Sequence, residues 1–167
     1  MKSSIALLYL SFIGLQAFTQ TESHEHHNHQ HGHSHDGHHK NEIGVANAPV
    51  YYVKEKEFTY GLHLHYIHQL GSSKFGLGLG YEKIFDDHEH QTVGLVANYR
   101  FPNGVSFNVA PGVTWEHNHT DELNFALHLE AVYEWEFGNF HLGPVAEFAY
   151  DPEDYHLSLG LHLGYGF

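Results

Sequence analysis

Residues 156–167 alternate without a break, and this pattern constrains the chain more than any other feature. Leu157, Leu159, Leu161, Leu163, Tyr165 and Phe167 share one parity, and His156, Ser158, Gly160, His162, Gly164 and Gly166 share the other. Successive side chains of a strand point to opposite faces. The segment therefore has one greasy face and one small or polar face. Nearly every other strand candidate repeats the pattern, with no charge inside the greasy bands. A sandwich strand could read the same way singly. The repetition points to a barrel in a bilayer, with lipid outside and a polar lumen inside.

Eight candidate strands follow one another at 42–53, 59–70, 74–85, 91–101, 105–117, 124–137, 140–150 and 155–167. Each is near the 9–11 residues that a tilted strand needs to cross a bilayer. The outward set runs Tyr60/Leu62/Leu64/Tyr66, Phe75/Leu77/Leu79/Tyr81 and Phe125/Leu127/Leu129/Ala131/Tyr133/Trp135 in three of them. The first strand is the weakest, because Asn47 and Pro49 interrupt its outer face. Pro111 and Pro144 fall mid-strand, where each removes a ladder donor, and they are read as bulges. Gly71-Ser-Ser, Pro102-Asn-Gly104 and Gly138-Asn139 read as tight hairpin turns. The stretches 85–90, 117–122 and 151–154 read as longer, acidic loops.

The N-terminus reads differently. Lys2 followed by an apolar run from Ile5 to Phe18 has the form of a secretory signal, expected over residues 1–20. Residues 21–41 form a His-rich, low-complexity tail with nothing large and apolar over 21–40, expected to be disordered. The barrel is expected over 42–167. The chain has no Cys, which excludes disulfides and thiolate metal sites. A formal charge of −13 argues against a nucleic-acid partner.

These features resemble the small eight-stranded outer-membrane β-barrel proteins of Gram-negative bacteria. The resemblance rests on the signal, the alternation, the turn asymmetry and the terminal Tyr165-Gly-Phe167, a C-terminal aromatic similar to the one read by the outer-membrane insertion machinery. It implies an all-β, up-and-down antiparallel transmembrane barrel in contact with outer-membrane lipid and lipopolysaccharide. Short turns and both termini would face the periplasm, with the His tail there and the acidic loops outside.

Twenty His among 167 residues need a cause. Nine of them, His24, His26, His27, His29, His31, His33, His35, His38 and His39, lie in the tail. Dense His tracts read as binders of Zn, Cu or Ni. His88, His90, His117 and His119 form His-x-His pairs near the acidic loops. The inward parity collects His63, His65, Glu82, Asn98, Arg100, Asn108, Glu116, His128, Glu130, Glu134, Glu136, His141, Glu147, His156 and His162. Packing that many carboxylates around one arginine requires protonation or a cation. His63-x-His65 and His128-x-Glu130 each put two ligands on one strand face, and the four are expected to converge across the lumen. The imidazole and carboxylate donors suit a divalent transition metal. The expected role is metal-ion binding at the cell envelope, as a buffer or as an accessory to a metal transporter. The alternative is a structural barrel with no metal role.

His156-x-Ser158 resembles the His-x-Ser pair of the outer-membrane lipid A deacylases. That family faces the pair and a later acid toward lipid. Here both residues face inward and no Asp or Glu follows Ser158, so no enzyme activity is expected.

Overall fold

The computed structural model describes residues 39–117, 119–152 and 154–167. The expected signal and all of the tail before His39 lie outside the described residues. The strands are β1 (Asn41–Tyr52), β2 (Glu57–Gln69), β3 (Phe75–Ile84), β4 (Gln91–Arg100), β5 (Val105–Glu116), β6 (His119–Tyr133), β7 (Trp135–Phe137), β8 (Phe140–Tyr150) and β9 (Tyr155–Gly166). Apart from β6 and β7, sequence neighbours pair antiparallel, and β1 also pairs with β9. Both β6 and β7 pair with β8, and Val132↔Val145 and Trp135↔Leu142 keep one register. The two segments are therefore one stave, and eight staves close an all-β, up-and-down barrel.

Closure pairs every stave along both of its edges, apart from rungs interrupted near the prolines, and so meets the bilayer's demand for internally bonded backbone. The side chains complete the argument. Leu77, Leu79, Leu95, Phe107, Val113, Phe125, Leu159 and Leu161 are all exposed, and they come from different staves around the barrel. Exposed apolar surface on this scale is far more than a soluble monomer carries. The opposite parity is buried and holds the polar groups. The first strand keeps the alternation throughout. Outward Asn47 donates its side-chain amide to the Leu161 carbonyl at 3.4 Å.

The prolines do not form bulges. Pro144 pairs with Leu161 in regular register, and the break between β6 and β7 at Glu134 lies opposite Gly143 and Pro144 without a register shift. Pro111 pairs with Leu127, while the β4–β5 ladder skips from Gly94↔Gly112 to Ala97↔Val109, again without a shift. Each proline lacks one N–H, so its ladder loses a rung and the staves stay aligned. The β5–β6 ladder does shift, between Thr114 and Glu116 near one rim.

The two rims differ in chain content. At the terminal rim Asn41 and Phe167 exchange backbone hydrogen bonds, each at 2.9 Å. The expected turns lie on this rim, with Gly104 and Gly138 at positive φ, a conformation that glycine adopts without strain. The other rim, here the distal rim, carries the connections 53–56, 85–90, 117–118 and 151–154. The expected loop at 117–122 is mostly strand, because β6 begins at His119. The length asymmetry between rims is therefore slight.

Candidate metal centres in the lumen

The inward parity delivers its polar groups to two levels. Alternation fixes which residues point inward, but register decides which of them meet. Near the terminal rim Glu42 of β1, His65 of β2, Arg100 of β4, Glu134, His141 of β8 and His162 of β9 gather. Arg100 pairs with Glu42 through Nη2, and its Nε lies 3.8 Å from Glu134 Oε2. The other oxygens of the two carboxylates turn to imidazoles. His141 Nε2 is 3.4 Å from Glu42 Oε1 and 3.6 Å from Glu134 Oε1. His162 Nδ1 is 3.9 Å from Glu134 Oε1. Glu42, Glu134, His141 and His162 each offer a ligand atom, all within 4.8 Å of one another.

Glycines make the space for these rings. A Cβ at Gly164 would sit 1.8 Å from His141 Nε2, and one at Gly44 would sit 2.3 Å from His65 Nε2 and 2.5 Å from His162 Nε2. The rings of His65 and His162 stack with centroids 5.1 Å apart, and those of His141 and His162 at 5.3 Å.

Toward the distal rim a second group forms from Glu82 of β3, His128 and Glu130 of β6, Glu147 of β8, and His63 and His156. His128 Nδ1 donates to Glu147 Oε1 at 2.6 Å and lies 3.6 Å from Glu82 Oε2. Ser158 Oγ donates to Glu147 Oε2 at 3.1 Å. Asn98 donates to Asn108, which donates to Glu130 Oε1. Glu82, His128 and Glu147 present ligand atoms within 4.8 Å of one another. Neither group is an open pore. Three small apolar clusters, among them Val50/Tyr52/Ile84 and Ile67/Val96/Ala110, help fill the interior, as eight staves require.

The architecture has close counterparts among solved structures. The N-terminal β-barrel domain of Pseudomonas aeruginosa OprF superposes with a TM-score of 0.56 at 18% identity, over 78% of this chain and 99% of that one. Ail, the attachment invasion locus protein of Yersinia pestis, gives 0.55 at 14% identity, over 78% and 99%. The fold is that of the small eight-stranded outer-membrane barrels. Neisserial surface protein A agrees, with a TM-score of 0.55 at 9% identity over 76% of this chain and 96% of that one. No family model matches the sequence, and no curated protein matches it either. At these identities the likeness fixes the fold, and the site must be read from this barrel's own residues.

The four residues expected to converge are divided between the two levels. His63 Nδ1 lies 3.5 Å from Glu130 Oε2, and the His63 and His128 rings are 6.3 Å apart. His65 instead donates to Glu42 at 3.3 Å. Of the expected lumen set, Glu136 is exposed on β7 and Glu116 is half-buried at the distal rim. Glu42 was missed. Its parity with Gly44 and Ala46 was the available signal.

The loop histidines meet only in part. His90 Nδ1 pairs with Asp86, His88 Nδ1 lies 3.5 Å from Glu116 Oε2, and His90 Nε2 lies 3.8 Å from Glu116 Oε1. Burial alone would lower the His90 pKa, but the Asp86 hydrogen bond and charge raise it. Burial would likewise raise Asp86, and the bond from His90 lowers it instead. His117 donates its backbone N–H to the His88 carbonyl at 3.2 Å. The His119 side chain and the tail residues His24, His26, His27, His29, His31, His33, His35 and His38 lie outside the described part of the chain. His39 lies over Gly166 at the terminal rim.

Proposed function

We propose that this outer-membrane barrel binds a transition-metal ion, Zn, Cu or Ni, inside its lumen and serves metal buffering or metal handling at the cell envelope without catalysing a reaction. The observation that carries the reading is the distal group. Glu82, Glu130 and Glu147 are buried together, with no Lys or Arg among the described residues to balance them, since Arg100 is engaged by Glu42 and Glu134 at the other level. Glu82 Oε2 has no hydrogen-bond partner. A buried carboxylate oxygen left in that state is costly, and a divalent ion relieves it.

The donors suit the ion. Tetrahedral Zn with bonds of about 2.0–2.1 Å needs donors roughly 3.3 Å apart. His128 Nδ1 and Glu82 Oε2 are close to that at 3.6 Å, and the 2.6 Å His128–Glu147 pair reaches it by a small side-chain rotation. The ion replaces the proton now held between His128 and Glu147, so binding releases a proton and weakens as pH falls.

The His-rich tail, the loop histidines and a periplasmic terminal rim belong to the same reading. The tail would supply capacity, and the lumen one geometrically defined site. Calorimetry of Zn(II) into the full-length protein in detergent tests the lumen component. His128→Ala should remove one high-affinity ion per chain and leave the weaker tail binding in place. Identical isotherms for the two proteins would leave a structural barrel with a hydrogen-bonded polar plug.

A further inference from the structure

We propose that the distal group is a two-ion centre in which Glu82 bridges a second metal position built from His63 and Glu130. This rests on the metal-binding reading above and adds a site to it. His63 Nδ1 and Glu130 Oε2 face each other at 3.5 Å, and neither atom has a hydrogen-bond partner. Both residues are more than nine-tenths buried, at 7% and 2% exposure. Two polar atoms turned toward each other in the barrel interior, on staves β2 and β6, form half of a ligand set. His156 Nε2 is also without a hydrogen-bond partner and lies 3.9 Å from Glu82 Oε2, the oxygen that His128 Nδ1 approaches to 3.6 Å.

Space adjoins His63 and Glu82, and Glu130 stands behind His63 without bordering that space itself. Two cavities of about 10 Å³ each adjoin the group. One is lined by His63, Glu82 and His128 with Thr92, and the other by His63, Glu82, Glu147 and Ser158. Each is close to the size that holds one water. His63 and Glu82 border both cavities. The His63 and His128 rings are 6.3 Å apart. With each ion about 2 Å from its nitrogen, that spacing accommodates the roughly 3.5–4 Å separation of carboxylate-bridged metal pairs. Two divalent ions exceed three carboxylates by one charge, and a hydroxide would balance it, formed as a bound water gives up its proton to solvent. Two ions engage the three glutamates together with His63 and His128. A single ion at His128 leaves His63 Nδ1 and Glu130 Oε2 without a ligand role.

The test counts ions in the full-length protein. Wild type, His128→Ala, His63→Ala, Glu130→Gln and Glu82→Gln are loaded with Zn(II), desalted and measured by native mass spectrometry. Heat-modifiable gel migration confirms folding. Tail binding is common to all five. His128→Ala, His63→Ala and Glu130→Gln should each lose one ion relative to wild type, and Glu82→Gln should lose two. Glu130→Gln is nearly isosteric and still accepts from Asn108, so it keeps the test valid if His63→Ala fails to fold. With Cu(II), wild type should show a spin-coupled pair that His63→Ala converts to a single isolated ion. If His128→Ala loses an ion while His63→Ala and Glu130→Gln lose none, the second position is refuted and the one-ion reading stands. If no variant loses an ion, both fall.

Discussion

Replacing Leu161 with arginine tests whether the apolar belt faces lipid. Leu161 is near the middle of β9, 54% exposed, opposite Asn47 on one neighbour and Pro144 on the other. An arginine at the bilayer midplane of a barrel exterior costs about 2–4 kcal/mol, which is roughly a 30- to 1000-fold shift in the folding equilibrium. Leu157 shares the face and is 48% exposed, four residues nearer the distal rim. That is roughly 13 Å along the strand at about 3.3 Å per residue. For a strand tilted about 40° it is about 10 Å along the membrane normal, close to the edge of an apolar band about 25 Å tall. Arginine there reaches the headgroups and costs about 0–1 kcal/mol. Alanine at each position measures the loss of leucine itself. The assay is reversible denaturant unfolding in lipid vesicles, followed by Trp fluorescence and by migration of unheated samples on gels. Leu161→Arg should exceed Leu161→Ala by at least about 2 kcal/mol, and Leu157→Arg should exceed Leu157→Ala by about 1 kcal/mol or less. Equal costs at the two depths would refute a bilayer around this face.

Three further outcomes follow from particular contacts. The raised pKa of His90 means that its share of loop stability is complete below about pH 6.5 and is lost as pH rises through the raised value, while the share from Asp86 is lost as pH falls through its lowered one. Asp86→Asn should therefore move the His90 titration to lower pH, read by imidazole NMR in the presence of a chelator; an unchanged midpoint would remove Asp86 as the cause. Gly143→Ala places a Cβ 1.6 Å from the Tyr133 carbonyl oxygen, a backbone atom that cannot turn aside, so a cost at or above the roughly 1–3 kcal/mol of ordinary overpacking is expected in the same unfolding assay. With the terminal rim in the periplasm, an epitope inserted after Asp87 should label on intact cells and one at Asn41 should not; the reverse pattern would invert the proposed orientation.

Period-two alternation determined the staves, their lipid and lumen faces, and the inward placement of His63, Glu82, His128, Glu147 and His162. It could do so because one residue of slip would exchange the two faces. It also located the turns, since Gly104 and Gly138 supply the backbone conformations that tight turns need. Partnership was beyond its reach. Parity places His63 and His65 on the same face, but register sets His65 against Glu42 of the paired strand β1, while closure brings His63 to Glu130 of β6 across the lumen. Pro111 and Pro144 look like bulge signals in one dimension. In the closed sheet each costs a single ladder bond, because the partner stave on its other side holds the register. Glu42 lies at the start of its stave, where sequence gives little weight to a residue, and only its meeting with Arg100 and His141 across the lumen makes it central. The residue types and their faces were local properties of strands. The two clusters of donors are a property of how eight strands close.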